Sequence, residues 1–227
     1  TLLTPAGSPE FAGDSLTLSG EGATLILQPD PTGTVTITNL AMEDATLTNG
    51  AVGEIKLSGN TQINGTMTIG FTNANSTLEL NSTLSGGGLT VAYDGETEEE
   101  PSRTVRLTGA GNTLTGDVSL KQVRVAAESS GSLGGGNLSL DNAAVEPGYN
   151  INTPSKTLDL SGDGTRFLLN GQHVLRQISI TGTPFITDAG MFTRDDFVAI
   201  DAVFETIFAE ESTGNFTIVG NSGDSDE

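Results

Sequence analysis

The chain has 227 residues, a formal net charge of −20, 35% hydrophobic residues, no Cys and no Trp. The acid excess argues against nucleic acid and anionic membrane surfaces as partners, and the lack of Cys excludes disulfides and thiolate metal sites. Thirty Gly, with abundant Ser, Thr and Asn, suit short strands joined by tight turns, so a single all-β unit is expected.

Residues 1–12 carry Pro5 and Pro9 and are read as an extended lead-in. The chain opens at Thr1 without an initiator Met and is expected to be a mature protein or a piece of a longer one. No stretch reaches the roughly 18 apolar residues of a membrane helix, so no membrane insertion by this segment is expected.

Residues 13–190 repeat a four-residue pattern with apolar side chains at its second and fourth places, the mark of a strand with one buried face. The pattern occurs at Ser15–Leu18, Thr34–Ile37, Glu54–Leu57, Thr77–Leu80, Thr104–Leu107, Asp117–Leu120, Asn137–Leu140, Thr157–Leu160 and Gln177–Ile180. Leu120, Leu140, Leu160 and Ile180 are each 20 residues apart; Leu18, Ile37 and Leu57 are 19 and 20 apart; Leu80 and Leu120 are 40 apart. A repeat this short cannot bury its own apolar face, so neighbours must stack. The expected fold is a single-stranded parallel β-helix with about 20 residues per turn and inward ladders such as Leu120–Leu140–Leu160–Ile180. The acidic run Asp94–Glu100 is read as a loop insertion. Three opposite-charge pairs at spacing 20 would stack on adjacent turns: Lys121 with Asp141, Glu146 with Arg166, and Arg176 with Asp196.

Residues 107–145 read LTGAGNTLTGDVSLKQVRVAAESSGSLGGGNLSLDNAAV. Leu107-Thr108-Gly109, Asn112-Thr113-Leu114-Thr115-Gly116, Ser132-Leu133-Gly134 and Leu138-Ser139-Leu140 resemble the passenger-associated repeat of bacterial autotransporters and related giant surface adhesins. Looser echoes occur at Leu18-Ser19-Gly20, Leu57-Ser58-Gly59 and Leu160-Ser161-Gly162. The family usually has an aromatic residue where Leu114 stands. The resemblance implies a right-handed β-helix, export, and a stalk or adhesive role at the bacterial cell surface, outer-membrane-associated or extracellular. Partners would be glycans or proteins of a host or neighbouring cell.

Seven of the nine Phe follow residue 166, which marks a change of structure near residue 185. Phe197, Ile200, Phe204 and Ile207 share one helical stripe, so Asp195–Glu210 is expected to form a helix over the open end of the stack, with Thr193 as N-cap. Val198 and Ile200 also continue the 20-residue spacing, which competes with the helix. Residues 191–219 are thus read as a cap of helix plus strand (Phe216–Val219), and 220–227 as a disordered tail.

The chemistry expected is not enzymatic. No two acidic residues between 117 and 200 are 20 apart, as carboxylates stacked on adjacent turns would be, and His173 is the only His. No catalytic or cofactor-binding residue is assigned. Calcium is the ion the sequence could serve, through Asp159, Asp163 or the run Asp94–Glu100, although none matches a calcium-loop motif. Tyr93 and Tyr149, the only Tyr, supply little for a sugar-stacking groove. A carbohydrate-binding or polysaccharide-cleaving β-helix is the alternative. Trimeric fibres and β-rolls carry similar repeats and are the competing folds.

Overall fold

The computed structural model describes residues 2–3, 11, 13–28, 32–51, 53–93, 95, 101–149, 151–162, 165–169, 172–181, 185–188, 191–200 and 215–219. Among these every regular element is a strand and every strand pairing is parallel. The chain coils into a β-solenoid of roughly 22 residues per turn.

The pairings sort the strands into three ladders, so each coil has three faces. Face I holds segments 24–27, 46–49, 68–71, 89–92, 118–121, 138–141, 157–161, 177–181, 196–200 and 215–219. Face II holds 32–37, 54–59, 77–82, 104–107, 124–127, 144–147, 166–169 and 185–188. Face III holds 16–19, 39–43, 60–63, 83–86 and 113–114, and resumes at 152–153, 172–175 and 191–194. The long strands Thr32–Glu43, Glu54–Phe71 and Thr77–Ala92 run around corners, turning where the register shifts.

Alternation along each strand sends one set of side chains inward, and parallel pairing stacks that set into columns. On face I one column is Leu25, Leu47, Ile69, Val91, Leu120, Leu140 and Leu160, all buried. On face II Ile55, Leu78, Val105, Val125, Val145 and Phe167 do the same. Each such side chain contributes roughly 1.5–3 kcal/mol by leaving water.

The expected ladder Leu120–Leu140–Leu160–Ile180 is present in register. Its neighbours differ from the expected ones. Leu18 pairs with Met42, Ile37 with Gly59, and Leu57 with both Val35 and Leu80, at steps of 21 to 24 residues in this half of the chain. Leu80 pairs with Leu107, whereas Leu120 pairs with Val91. The four-residue pattern marks one strand per coil, but that strand lies on face III at Ser15–Leu18, on face II from Thr34–Ile37 to Thr104–Leu107, and on face I thereafter. Across the interval that contains 94–100 the register step lengthens to 27 and 29, from Leu80 to Leu107 and Val91 to Leu120, as an insertion requires. Residues 94 and 96–100 themselves lie outside the described residues.

The expected helix does not begin at Asp195. Met191–Ile200 is a strand that pairs with Gln172–Thr181 on one side and Asn215–Val219 on the other. Pairing on both sides satisfies backbone groups that a helix here would strip from the adjacent strands. Residues 201–214 lie outside the described residues, as does 220–227. The step here is 19, so Phe197 and Ala199, not Val198 and Ile200, follow Ile178 and Ile180. Of the charge pairs, Lys121 and Asp141 are register partners. Arg166 pairs with Ala144 rather than Glu146, and Asp196 with Gln177 rather than Arg176.

The corner from face I to face II is a bend at one left-handed residue. Gln122 (φ 53°), Asn142 (φ 46°) and Gly162 (φ 84°) occupy it on successive turns, 20 apart. Asn and Gly take this conformation at low cost. At the face II to face III corner Gly59 has φ 121°, and a Cβ there would collide with the Ile37 carbonyl.

Candidate functional site

The motif's apolar residues Leu107, Leu114, Leu138 and Leu140 lie in strands and face the interior, whereas Asn112 and Ser132 lie at corners, where they hold the coil. Asn112 is 5% exposed. Its Oδ1 accepts the Leu84 N–H at 2.8 Å, and its Nδ2 donates to Ser132 Oγ at 2.6 Å and Ser129 Oγ at 2.9 Å. Asn112 and Ser132 are 20 residues apart, so the motif's Asn and its Ser-Leu-Gly meet because they stand one turn from each other. Leu114, in the place of the family's aromatic, is buried in the interior. At the face III to face I corner, Asp117 Oδ1 accepts the Asn137 N–H at 2.7 Å and Asn137 Oδ1 accepts the Thr157 N–H at 3.1 Å. Each polar side chain thus caps a backbone donor one turn onward.

Lys156 lies beside that corner and is 1% exposed, which no sequence signal indicated. Its Nζ donates to the carbonyls of Leu133, at 2.9 Å, and Gly136. Burial pushes its pKa down to about 8, against the opposing charge of Asp117.

The outer surface of face II concentrates ionic side chains. Lys56, Glu79 and Arg106 are register partners on three successive turns. Lys56 Nζ is 2.9 Å from Glu79 Oε1. Arg106 reaches Glu128 at 3.0 Å, Glu79 at 3.6 Å and Glu54 at 3.7 Å. Thr108 donates to Glu79 Oε1 at 2.9 Å. Burial raises the Glu79 pKa, but the bonds from Lys56 and Thr108 and the charges of Lys56 and Arg106 outweigh it and hold the carboxyl below its ordinary range. The hydrogen bond to Glu128 raises the Arg106 pKa. This network straps turns on either side of the insertion.

One turn further, the outward columns narrow. Arg124 pairs with Ala144, and Ala126 with Glu146, so two charged residues and two alanines occupy the corners of one tile. The alanines leave an open notch of about 260 Å³ whose upper wall is Thr104. Ala144 is only 8% exposed although its position faces outward, because it forms the notch floor. Arg124 and Glu146 are both exposed on the rim.

The residues picked out from the sequence do not converge here. Asp159 faces outward on face I between Ser139 and Ser179, with its pKa raised by burial against a hydrogen bond from Ser179. Asp163 and, but for Gly95, the run 94–100 lie outside the described residues. His173 pairs with Phe192 in its strand. Arg103 stacks over the Tyr93 ring, 3.2 Å from its centroid. Tyr149 accepts the Leu133 N–H at 3.1 Å, and burial pushes its pKa up to about 12. Both tyrosines therefore pack against the body of the coil. Among the described residues no group of three or more His, Cys, Asp or Glu is placed to hold a metal.

No protein-family profile, no curated protein and no solved structure matches this chain.

Proposed function

We propose that this chain is a structural and adhesive segment of a bacterial cell-surface or secreted protein, and that it performs no catalysis. The observation that carries the reading is how Asn112 and Ser132 are used. These two polar residues of the stretch that resembles a surface-protein repeat are spent on internal hydrogen bonds between turns. The repeat is therefore a building rule for a rod, which advances ~4.8 Å with each turn. A rod whose inward columns on faces I and II run unbroken suits a stalk that holds a contact surface away from a cell. The acid excess keeps such a rod soluble and discourages self-association.

Displaying the 227-residue chain on a non-adherent bacterium tests this. Increased attachment to host-cell or bacterial monolayers over an empty display strain supports the reading. Attachment equal to the empty strain on every surface, or release of reducing ends from polysaccharides, would overturn it.

A further inference from the structure

We infer that the notch on face II binds a carboxylated sugar, with Arg124 taking the carboxylate and Glu146 and Thr104 taking hydroxyls. This rests on the adhesive reading and names the chemistry it would contact.

Arg124 stands apart from the other basic residues. In a chain of net charge −20 a guanidinium has many carboxylates to choose from. The other described basic side chains are engaged. Lys56 and Arg106 are in the ion-pair strap, Arg103 lies over Tyr93, and Lys156 holds two carbonyls. Lys121 and Arg166 also have partners. Arg124 has neither an ion pair nor a side-chain hydrogen bond among the described residues. Glu146, diagonal to it across the tile, is equally free.

Ala126 and Ala144 are the small residues of the tile, so the recess lies between the two charges. Its volume of about 260 Å³ lies just under the roughly 300–1,000 Å³ of sites for drug-sized ligands, which suits one ring rather than a chain of them.

A guanidinium fork matches a carboxylate through two parallel hydrogen bonds. A carboxylate such as Glu146 repels a second anion but accepts hydroxyl donors, as does the Thr104 hydroxyl. The alanine methyls offer an apolar floor for the C–H face of a ring. An inorganic anion would satisfy Arg124 and be repelled by Glu146. A neutral sugar would satisfy Glu146 and leave the guanidinium unfilled. A compact ring with one carboxylate and several hydroxyls satisfies both. The net charge disfavours long polyanions and favours a single acidic sugar at a chain end.

The test is a titration of the full chain, followed by backbone amide chemical shifts, with sodium glucuronate, glucose and acetate as probes. Glucuronate should shift the amides of Ala126 and Val145 and saturate, and glucose and acetate should bind at least roughly tenfold more weakly. Arg124→Ala should weaken glucuronate binding roughly tenfold to a hundredfold, Arg124→Lys should restore part of it, and Glu146→Gln should strengthen acetate, by removing the repelling carboxylate, and so narrow the preference for glucuronate over acetate. Both sites are exposed, so unchanged melting temperatures certify the fold of the variants. Equal responses to glucuronate and acetate, or an Arg124→Ala variant that binds glucuronate like wild type, would sink the inference. If displayed wild type and Arg124→Ala attach to cells equally well, the adhesive reading stands and the notch fails. If glucuronate binds through Arg124 but no surface is attached, the notch stands and the adhesive reading fails.

Discussion

Lys156→Met should stabilise the coil at neutral pH and flatten its alkaline stability profile. Burial lowers the Lys156 pKa from 10.5 to about 8, so the folded chain releases this proton before the unfolded chain does. Between those pH values the unfolded state binds more protons, and stability rises with pH through that window. Below about pH 8 both states are charged, and the folded state bears the full cost of an ammonium taken out of water. At about 1.36 kcal/mol per pKa unit, the shift corresponds to about 3 kcal/mol. The acceptor carbonyls of Leu133 and Gly136 stabilise the ammonium, so this is an upper figure. Met fills a similar volume without a charge, and replacing buried ions by apolar groups of like size is often neutral or stabilising. The assay is urea unfolding of both proteins at steps from pH 7 to 10.5. Wild type should gain up to about 3 kcal/mol across the series relative to Lys156→Met. Other titrating groups, Tyr149 among them, are common to both and cancel in the difference. Parallel profiles, or a Met variant less stable than wild type at pH 7, would refute the reasoning. The carbonyl bonds would then be worth more than the desolvation.

Leu140→Asp places a carboxylate inside the face I column and should cost several kcal/mol; thermal melting within about a degree of wild type would refute the inward ladder. Asn112→Ala strips the Leu84 N–H and the Ser132 hydroxyl of their buried partner and should cost about 2–4 kcal/mol in urea unfolding. Glu79→Gln should cost about 1 kcal/mol at neutral pH and low salt, and much less in molar salt. The sign for Glu79 follows from its lowered pKa: its contribution is present above the pKa of an unfolded Glu and is lost as pH falls through the lower folded value, so the variant and wild type should converge in acid.

The candidate surface was not legible in the sequence. Ala126 and Ala144 are 18 residues apart and define a recess only because the register sets them diagonally, next to Arg124 and Glu146. A 20-residue spacing rule paired Glu146 with Arg166, which the register step from face II to the next turn does not allow. Lys156 gave no sign of burial, since it sits between Ser155 and Thr157 in a polar stretch and is drawn inward by carbonyls of residues one turn away.

The sequence by itself determined that strands alternate, that their repeat cannot close alone, and that parallel stacking follows. Those properties are local, written in apolar residues two apart that recur about every 20 residues. Only the tertiary structure decided which strand belongs to which face. All three faces ask for the same alternation, so Leu18, Ile37 and Leu57 are alike in pattern and differ only in the partners they meet across turns of unequal length. The same is true of Asp195–Ile200. A stripe at helical spacing and a strand at alternate spacing share several residues, and the two adjacent strands, Gln172–Thr181 and Asn215–Val219, supply the backbone partners that select the strand.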